Sequence, residues 1–318
     1  MQRKVLLAVD GSKRCNEVIS QVGRILKGSP GSGVVLFHCV QRLGVPHTAG
    51  LYELAHTYSL PVERQEKMGK AVLEESVKVL VEAGFPEGAI QTALKVDSDD
   101  PARDILDEAR KSGMYAVVVG RRGLSRTEGV LVGGVSNRLA EYGGPLPIWI
   151  VDNPLNQSGK VLIAVQGIPG GGMLANYVSE VVSLVPYSHF TFLHLMPLMP
   201  PTYWDDGHIL NPEERKAREG QIEDWRRQYK RPFESLMAEA RDVLASRGIS
   251  PEGVETRIEP VKEGIARDLL GEIARERYEM VIMGKKSLQK KTPFLLGSVA
   301  NKILTNAKGV ALCLVGST

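Results

Sequence analysis

The sequence predicts an α/β protein made of two tandem Rossmann-like domains, each an open parallel five-stranded sheet with helices on both faces. Apolar runs of strand length alternate with helical segments, and the whole pattern occurs twice in the 318 residues. A chain of this length accommodates about two domains of roughly 150 residues each. We expect the first domain at residues 1–153 and the second at residues 158–318, joined by a short polar linker that contains Pro154 and Gly159.

The repeat is visible residue by residue. Val5–Asp10 reads VLLAVD and Val161–Gln166 reads VLIAVQ, a shift of 156 residues (161 − 5), whereas Gly120 and Gly284 are 164 residues apart (284 − 120). The difference, 164 − 156 = 8, indicates an eight-residue insertion in the polar stretch Tyr203–Arg231. A repeat of this length is a duplicated domain rather than a solenoid unit.

Most of the strands are unbroken apolar runs, which is typical of parallel strands covered by helices on both faces. In the first half we predict strands near Lys4–Val9, Val34–Val40, Ile90–Val96, Tyr115–Val119 and Pro147–Val151. We predict helices near Cys15–Lys27, Pro61–Ala83, Pro101–Lys111 and Gly133–Tyr142, with the same order in the second half. Asp100 before Pro101, and Asn211 before Pro212, each combine an N-cap residue with proline at the first helical position.

The third strand of each half is not an unbroken apolar run, because apolar residues alternate with other residues along it. This alternation predicts a partly exposed strand at the edge of the sheet. With right-handed crossovers the economical strand order is then 3-2-1-4-5. The chain reverses direction across the sheet between strands 1 and 4, and open α/β sheets bind ligands in the crevice at such a point. Asp10 and Gly120 end these two strands, so we expect a binding site there.

A glycine pattern suited to phosphate follows strand 4 in both halves. The two sets are Gly120, Gly123, Gly133 and Gly134 in the first half, and Gly284, Ser287, Gly297 and Ser298 in the second. Small residues at a strand end and at the start of the next helix leave backbone N–H groups accessible to an anion. Each half therefore carries a candidate phosphate cradle, by which we mean these four positions.

Composition narrows the function. Residues 1–153 carry 19 basic and 18 acidic side chains, and the remaining residues carry 21 and 19, so a bulk electrostatic grip on nucleic acid is disfavoured. Three cysteines without CxxC spacing indicate a reducing compartment. No apolar run approaches membrane-spanning length and no signal-like segment opens the sequence. We expect a cytoplasmic protein that binds neither membrane nor nucleic acid.

The segment VLLAVDGS, the spacing G-x2-G-x9-G over Gly120–Val135 and the closing strand LPIWIVD together resemble the universal stress protein family, in a tandem two-domain form. The resemblance implies an ATP-binding α/β domain that often dimerises, although some branches of the family bind no nucleotide. The family motif is G-x2-G-x9-G-[ST]. Gly134 departs from it in the first half, and Ser287 and Gln166 depart from the family pattern in the second.

The resemblance also implies roles for individual residues. Asp10 would lie by the adenosine, Val40 would touch the base, Gly120 and Gly123 would line the ribose-phosphate turn, and Gly133, Gly134 and Val135 would present N–H groups to the phosphates. A weaker second site would comprise Gly284, Ser287, Gly297, Ser298 and Val299. The alternative for Asp10 is a turn or helix-capping residue, and the alternative for the glycines is an ordinary strand-to-helix turn.

Other polar residues near the cradles have plainer interpretations. Basic residues flank both cradles, among them Arg121 and Lys285, and they either neutralise phosphates or belong to solvated loops. His38 and His194 lie within apolar strands, so we expect core histidines with satisfied hydrogen bonds rather than metal ligands. We identify no residues with metal-ligand spacing and assign no catalytic residue.

The function predicted is a stress-response or regulatory protein that binds ATP, with or without magnesium, mainly in its first domain. The alternative is a protein-interaction module that binds no nucleotide and keeps both cradles as vestiges. The sequence lacks a P-loop, a G-x-S-x-G elbow and a kinase signature, so at most slow ATP hydrolysis is expected. We also expect the closing strands Pro147–Val151 and Val310–Val315 to meet, forming an internal pseudo-dimer of the two domains, and we leave open a homodimer and an unidentified protein partner.

Overall fold

A computed structural model describes residues 3–26, 31–42, 61–121, 133–165, 178, 181, 184–185, 187–198, 211–285 and 296–316. The strands are β1 Arg3–Val9, β2 Ser32–Gln41, β3 Ile90–Ser98, β4 Ala116–Gly120, β5 Ile148–Val151, β6 Lys160–Ala164, β7 His189–Met196, β8 Val254–Pro260, β9 Met280–Gly284 and β10 Ala311–Val315. The helices are α1 Lys13–Leu26, α2 Val62–Glu82, α3 Pro101–Lys111, α4 Gly134–Tyr142, α5 Pro212–Ser246, α6 Ile265–Glu276 and α7 Ser298–Asn306.

The strand order within each half agrees with the prediction. All ten strands form one sheet in the order β3-β2-β1-β4-β5-β10-β9-β6-β7-β8, so each half has the order 3-2-1-4-5. The two predicted five-stranded sheets are joined edge to edge. They merge because β5 and β10 pair antiparallel, with Trp149 opposite Cys313 and Val151 opposite Ala311. Two apolar edges that would otherwise face water are thereby hydrogen-bonded to each other.

The predicted edge strands are at the edges. β3 and β8 end the sheet on its two sides, and their side chains are mostly half-exposed, whereas β4 and β9 are buried except at the closing glycine. Partial exposure thus explains the alternating pattern that predicted their position. The closing strands of the two halves meet as an internal pseudo-dimer, as expected.

Helices cover both faces of the sheet and create two continuous apolar cores. One core includes Val18 of α1, Leu73 of α2 and Phe233 of α5. The other includes Ile105 of α3 and Ile303 of α7. Each core contains residues of both halves, so the halves share their interior rather than touching only through two strands.

The helix starts that the sequence marked are formed as predicted. The Asp100 side chain accepts a hydrogen bond from the Arg103 N–H at the start of α3. Asn211 and Glu214 form a reciprocal capping box at the start of α5. Both α2 and α5 end at equivalent residues, since 82 + 164 = 246, but α5 has 35 residues and α2 has 21. The described part of the inserted stretch is therefore an amino-terminal extension of a helix.

Candidate functional site

The turn after β1 is fixed by short hydrogen bonds. The Asp10 Oδ1 atom accepts the Ser12 N–H at 2.9 Å, and the Ser12 Oγ atom accepts the Cys15 N–H at 3.1 Å in the first turn of α1. Gly11 between them has φ +73°, and a Cβ atom there would lie 2.9 Å from the Val72 Cγ2 atom. Asp10 thus has the turn-forming contact that its plainer interpretation predicts, and this contact holds the carboxylate at the carboxyl end of β1.

The first cradle closes by two contacts between the end of β4 and the start of α4. The Gly133 N–H donates to the Arg121 carbonyl at 2.8 Å, and the Ser136 Oγ donates to the Gly120 carbonyl at 2.7 Å. Because β1 and β4 are neighbouring parallel strands, Asp10 and Gly120 end side by side. Ser136 was not singled out from the sequence. Its position two residues after Gly134 in the first helical turn is the signal that could have found it.

The start of α4 is open toward an anion. Gly133 is the N-cap residue and supplies no side-chain cap, and the first N–H groups of a helix have no intrahelical acceptor. A Cβ atom on Gly134 would meet no described residue within 4 Å, so the small side chain that the family motif has here would not clash with the described part of the chain. The prediction that the Gly133 N–H faces a phosphate is wrong, because it donates to the Arg121 carbonyl. Gly134 and Val135 remain as candidate donors at this helix start, and Gly123 lies outside the described residues.

The second cradle has the same backbone. The Gly297 N–H donates to the Lys285 carbonyl at 2.8 Å, and Gly297 caps α7 with φ −61° and ψ 150°, close to the −66° and 149° of Gly133. Ala300 stands where the first half has Ser136 (300 − 164 = 136), so the hydroxyl tie is missing. Gly284 ends β9, and Ser298 and Val299 begin α7. Ser287 and Gln166 lie outside the described residues.

Val40 lies near the end of β2 and is half-buried. It packs closely against α2, because a Cβ atom on Gly69 would lie 3.1 Å from the Val40 Cγ2 atom. The second half has Phe233 at the position of Gly69 (233 − 164 = 69). Its ring stacks on the His194 ring with the centroids 3.6 Å apart. The two halves therefore differ in bulk at the carboxyl end of strand 2.

Each of the two strand histidines has a hydrogen bond to a backbone carbonyl, but the prediction of satisfied core histidines holds only in part, because His38 is half-buried and the buried Nε2 of His194 has no hydrogen-bond partner among the described residues. His38 Nδ1 is 2.7 Å from the Val9 carbonyl oxygen, and His194 Nδ1 is 2.7 Å from the Val165 carbonyl oxygen. A carbonyl can only accept, so Nδ1 carries the proton in both rings. Burial lowers the pKa of His194. Each histidine thus ties the second strand of its half to the carboxyl end of the first.

The cations that flank the cradles point into the domain interface rather than toward a phosphate. Arg121 is 4% exposed; its Nη1 donates to the Leu304 carbonyl, and its Nε lies 3.6 Å from Asp152 Oδ2. Lys285 is 6% exposed and donates from Nζ to the Gly144 and Leu146 carbonyls at 3.0 and 2.8 Å. The interpretation of these two residues as phosphate-neutralising side chains is therefore wrong. The remaining flanking cations that were considered, Arg122, Arg126, Lys286, Lys290 and Lys291, lie outside the described residues.

Two negative findings apply to the described part of the chain. None of its helices is both long and apolar enough to cross a membrane. Across the described ranges, no three His, Cys, Asp or Glu side chains are grouped so that they could hold a metal ion.

Comparison with known proteins agrees with the architecture. Residues 1–151 match the model of the universal stress protein family. Universal stress protein YxiE of Bacillus subtilis (strain 168) is 26% identical over 153 residues, which cover 48% of this chain and 99% of the relative. A universal stress protein of Mycolicibacterium smegmatis is 23% identical over 184 residues, but these cover only 56% of this chain and 59% of that relative.

Solved structures match over the whole length. A universal stress protein of Archaeoglobus fulgidus DSM 4304 superposes with a TM-score of 0.62 over 100% of both chains at 16% identity. A Pseudomonas aeruginosa PAO1 protein described as functionally unknown superposes with a TM-score of 0.54, over 99% of this chain and 92% of its own, at 14% identity. At these identities the similarity concerns the fold, and it covers both halves.

Proposed function

Because its first 151 residues place this chain in the universal stress protein family, and its second half repeats the same strand order, we propose that it is a cytoplasmic ATP-binding protein of the stress response. The nucleotide is held mainly by the first domain, at the carboxyl ends of β1 and β4. ATP hydrolysis, if it occurs, is slow and incidental to binding.

The start of α4 is the observation that carries this proposal. It combines an N-cap without a side-chain acceptor, space at Gly134 that no described residue fills, and a helix dipole that favours negative charge. Asp10 ends the neighbouring strand β1 and would accept hydrogen bonds from the ribose or base. Val40 near the end of β2 would supply apolar contact to the base. These residues fit a nucleotide whose phosphates meet α4 and whose base points toward β2.

The preference for the first domain rests on three differences between the halves. Gln166 replaces Asp10 and removes a carboxylate, and Ser287 replaces Gly123. Phe233 adds a ring stacked on His194 where the first half has Gly69. Loss of one hydrogen bond is worth about 0.5–1.5 kcal/mol, and a non-glycine residue forced to positive φ costs about 1–2 kcal/mol. Together these losses correspond to roughly a tenfold to hundredfold weaker second site.

Calorimetric titration with ATP and magnesium tests the proposal. We expect one tight site per chain, absent in Asp10→Ala and in Gly123→Val but present in the matched second-half variant Gln166→Ala. Two equivalent sites would contradict the preference for the first domain. Binding that survives Asp10→Ala and disappears in Gly297→Val would show that the nucleotide binds to the second domain instead.

The second candidate function, a protein-interaction module without nucleotide, is favoured by the departures from the motif at Gly134, Ser287 and Gln166. A thermal-shift titration with ATP, ADP and AMP separates the two. Ligand at 100 times its dissociation constant adds about 2.7 kcal/mol to the free energy of unfolding. No shift with any nucleotide at millimolar concentration would favour the interaction module.

A further inference from the structure

A groove of about 880 Å³ lies between the two domains, on the α1 side of the sheet. Its walls are α1, the linker that follows β5, the turn before β10 and the turn after α6. Its floor is apolar and includes Val18, Val151 and Leu155, all buried. A concave space of this volume suits a small molecule rather than a flat protein or nucleic-acid surface.

The groove carries an excess of positive charge. Arg14, Arg277 and Lys308 line it with exposed side chains, and among the described residues none of the three has an ion-pair partner. Arg121 lies buried beneath them, with its own contacts to Asp152 and Leu304.

The two carboxylates of the groove are already hydrogen-bonded. Glu17 accepts a hydrogen bond from the Asn153 Nδ2. Asp152 accepts the Gly309 N–H and the Asn153 N–H, both at 3.0 Å. These contacts hold the linker against the turn before β10. Four basic and two acidic side chains thus leave a net charge of +2 (4 − 2) around the groove.

Arg277 occupies an unfavourable backbone conformation. It follows α6 with φ 53° and ψ 44°, in the left-handed region. The equivalent residue of the first half is Gly113 (277 − 164), which has φ +59°. Glycine adopts this conformation without strain, whereas an L-residue pays roughly 1–2 kcal/mol. Strain of this kind in a wall of a cavity indicates that the side chain has a use there.

The second half has a further cation where the first has glycine, and the two sides of the domain interface differ. Lys308 corresponds to Gly144 (308 − 164). On the opposite side of the pseudo-twofold axis, Gly316 corresponds to Asp152 (316 − 164) and packs so closely that a Cβ atom on it would lie 2.1 Å from the Gly144 carbonyl oxygen. One side of the domain interface is therefore closed at these positions, and the other opens into a groove with added cations.

The geometry points to this groove as a second binding site, for a small organic phosphate that carries two phosphate groups. Its phosphates would meet Arg14, Arg277 and Lys308, because charge-assisted hydrogen bonds to cations are the strongest contacts such groups make. Its carbon skeleton would lie on the apolar floor. The site differs from the cradle, since it contains neither the start of α4 nor Asp10; the two share only Arg121, whose side chain lies beneath the groove and whose carbonyl accepts the Gly133 N–H.

Titration of the full chain with fructose 1,6-bisphosphate at constant ionic strength tests this site. The key variant is Arg277→Gly/Lys308→Gly, which restores at both positions the residue that the first half tolerates. Its charge-matched control is Lys78→Gln/Lys111→Gln, two exposed lysines near the carboxyl ends of α2 and α3. We expect affinity to fall about tenfold or more in the key variant, in line with the loss of charged contacts, and to stay unchanged in the control.

Four further measurements separate the possible outcomes. Thermal unfolding of Arg277→Gly should occur at or above the wild-type temperature, because the glycine removes strain, and so weaker binding would not reflect misfolding. Binding of the bisphosphate should survive Gly123→Val, while ATP binding should survive Arg277→Gly/Lys308→Gly, which separates this site from the cradle. Inorganic pyrophosphate should bind more weakly than the bisphosphate. Equal affinity of the key variant and the wild type, no binding at millimolar bisphosphate, or pyrophosphate that binds as tightly as the bisphosphate would each overturn the proposal.

Discussion

Arg121 and Lys285 occupy the same position in the two halves, since 285 − 121 = 164, and each donates hydrogen bonds to carbonyls of the other half. Arg121 reaches Leu304 in α7, and Lys285 reaches Gly144 and Leu146 beyond α4. Each also closes its cradle, because its backbone carbonyl accepts the N–H of Gly133 or Gly297. The residue that follows the first glycine of each cradle is thus anchored in the opposite domain, so a shift of one cradle backbone would be transmitted across the interface.

Stability should depend on pH through Lys285. Burial lowers the pKa of this side chain to about 7, with a smaller lowering effect from Arg110 and an opposing one from Cys313, while an unfolded lysine has a pKa of about 10.4. Between these values the unfolded chain holds a proton that the folded chain has lost, so stability rises with pH. Below pH 7 the amine is protonated in both states, so the full unfavourable contribution of its burial to folding stability is present.

Lys285→Met removes this titration and keeps a straight side chain of similar length. We expect the free energy of unfolding of the wild type, relative to Lys285→Met, to rise by about 1–2 kcal/mol from pH 7 to pH 8.5. Urea unfolding of both proteins across this range gives the difference, in which the other titrating groups cancel. A difference that is constant with pH would contradict the burial of this amine.

A buried carboxylate also joins the halves. Glu279 is 1% exposed on its side chain, pairs with Arg24 of α1, and accepts the Gly159 N–H at 3.0 Å. Arg24→Ala leaves this carboxylate without its cation, and we expect a loss of about 1–3 kcal/mol, less than for a fully buried pair because Arg24 is partly exposed. In the double variant Arg24→Ala/Glu279→Gln the loss should be smaller than the sum of the single losses. Denaturant unfolding of the four proteins measures the coupling, and additive losses would refute it.

Gly134→Ser should strengthen ATP binding in the first domain. A Cβ atom at Gly134 would lie more than 4 Å from every described neighbour, so we expect the serine hydroxyl to reach a phosphate without displacing the backbone. One added hydrogen bond of about 0.5–1.5 kcal/mol corresponds to roughly a twofold to tenfold gain in affinity. Gly134→Ala is the matched control, which adds the methylene carbon without the hydroxyl and should leave the affinity measured by calorimetry unchanged. A gain in both variants would trace the effect to helix propensity instead.

Gly11→Ala should destabilise the turn that carries Asp10. Gly11 has φ +73° and a Cβ atom on it would lie 2.9 Å from Val72 Cγ2, whereas a Cβ atom on Gly31, which has φ +78°, would meet none of the described residues within 4 Å. Gly31→Ala therefore reports backbone strain alone, about 1–2 kcal/mol. We expect Gly11→Ala to cost about 1–3 kcal/mol more, from overpacking against Val72. Equal thermal destabilisation of the two variants would show that Val72 and α2 move to accommodate the added methyl group without a loss of stability.

The strand order could be predicted because exposure leaves its mark on the sequence, as the alternating residues of β3 and β8 show. The histidine contacts could be predicted for a similar reason, since a histidine inside an apolar strand must find an acceptor. The directions of Arg121 and Lys285 could not, because they depend on which carbonyls the opposite domain presents. The meeting of β5 and β10 could be predicted from their apolar, otherwise open edges, but their antiparallel register could not, because local patterns do not encode it. The left-handed conformation of Arg277 does have a signal in the sequence, because Arg277 aligns with Gly113. Only comparison of the two halves reveals it.

The pairing of β5 with β10 has a consequence for how the two halves can change. In an isologous pair of identical chains, every substitution appears twice, and a cation added beside the axis faces its own copy. Covalent fusion removes that constraint. Three differences between the halves are of this kind: Arg277 where the first half has Gly113, Phe233 where it has Gly69, and Asp152 where the second half has Gly316. In a symmetric dimer of one gene product, each of these changes would occur in both subunits.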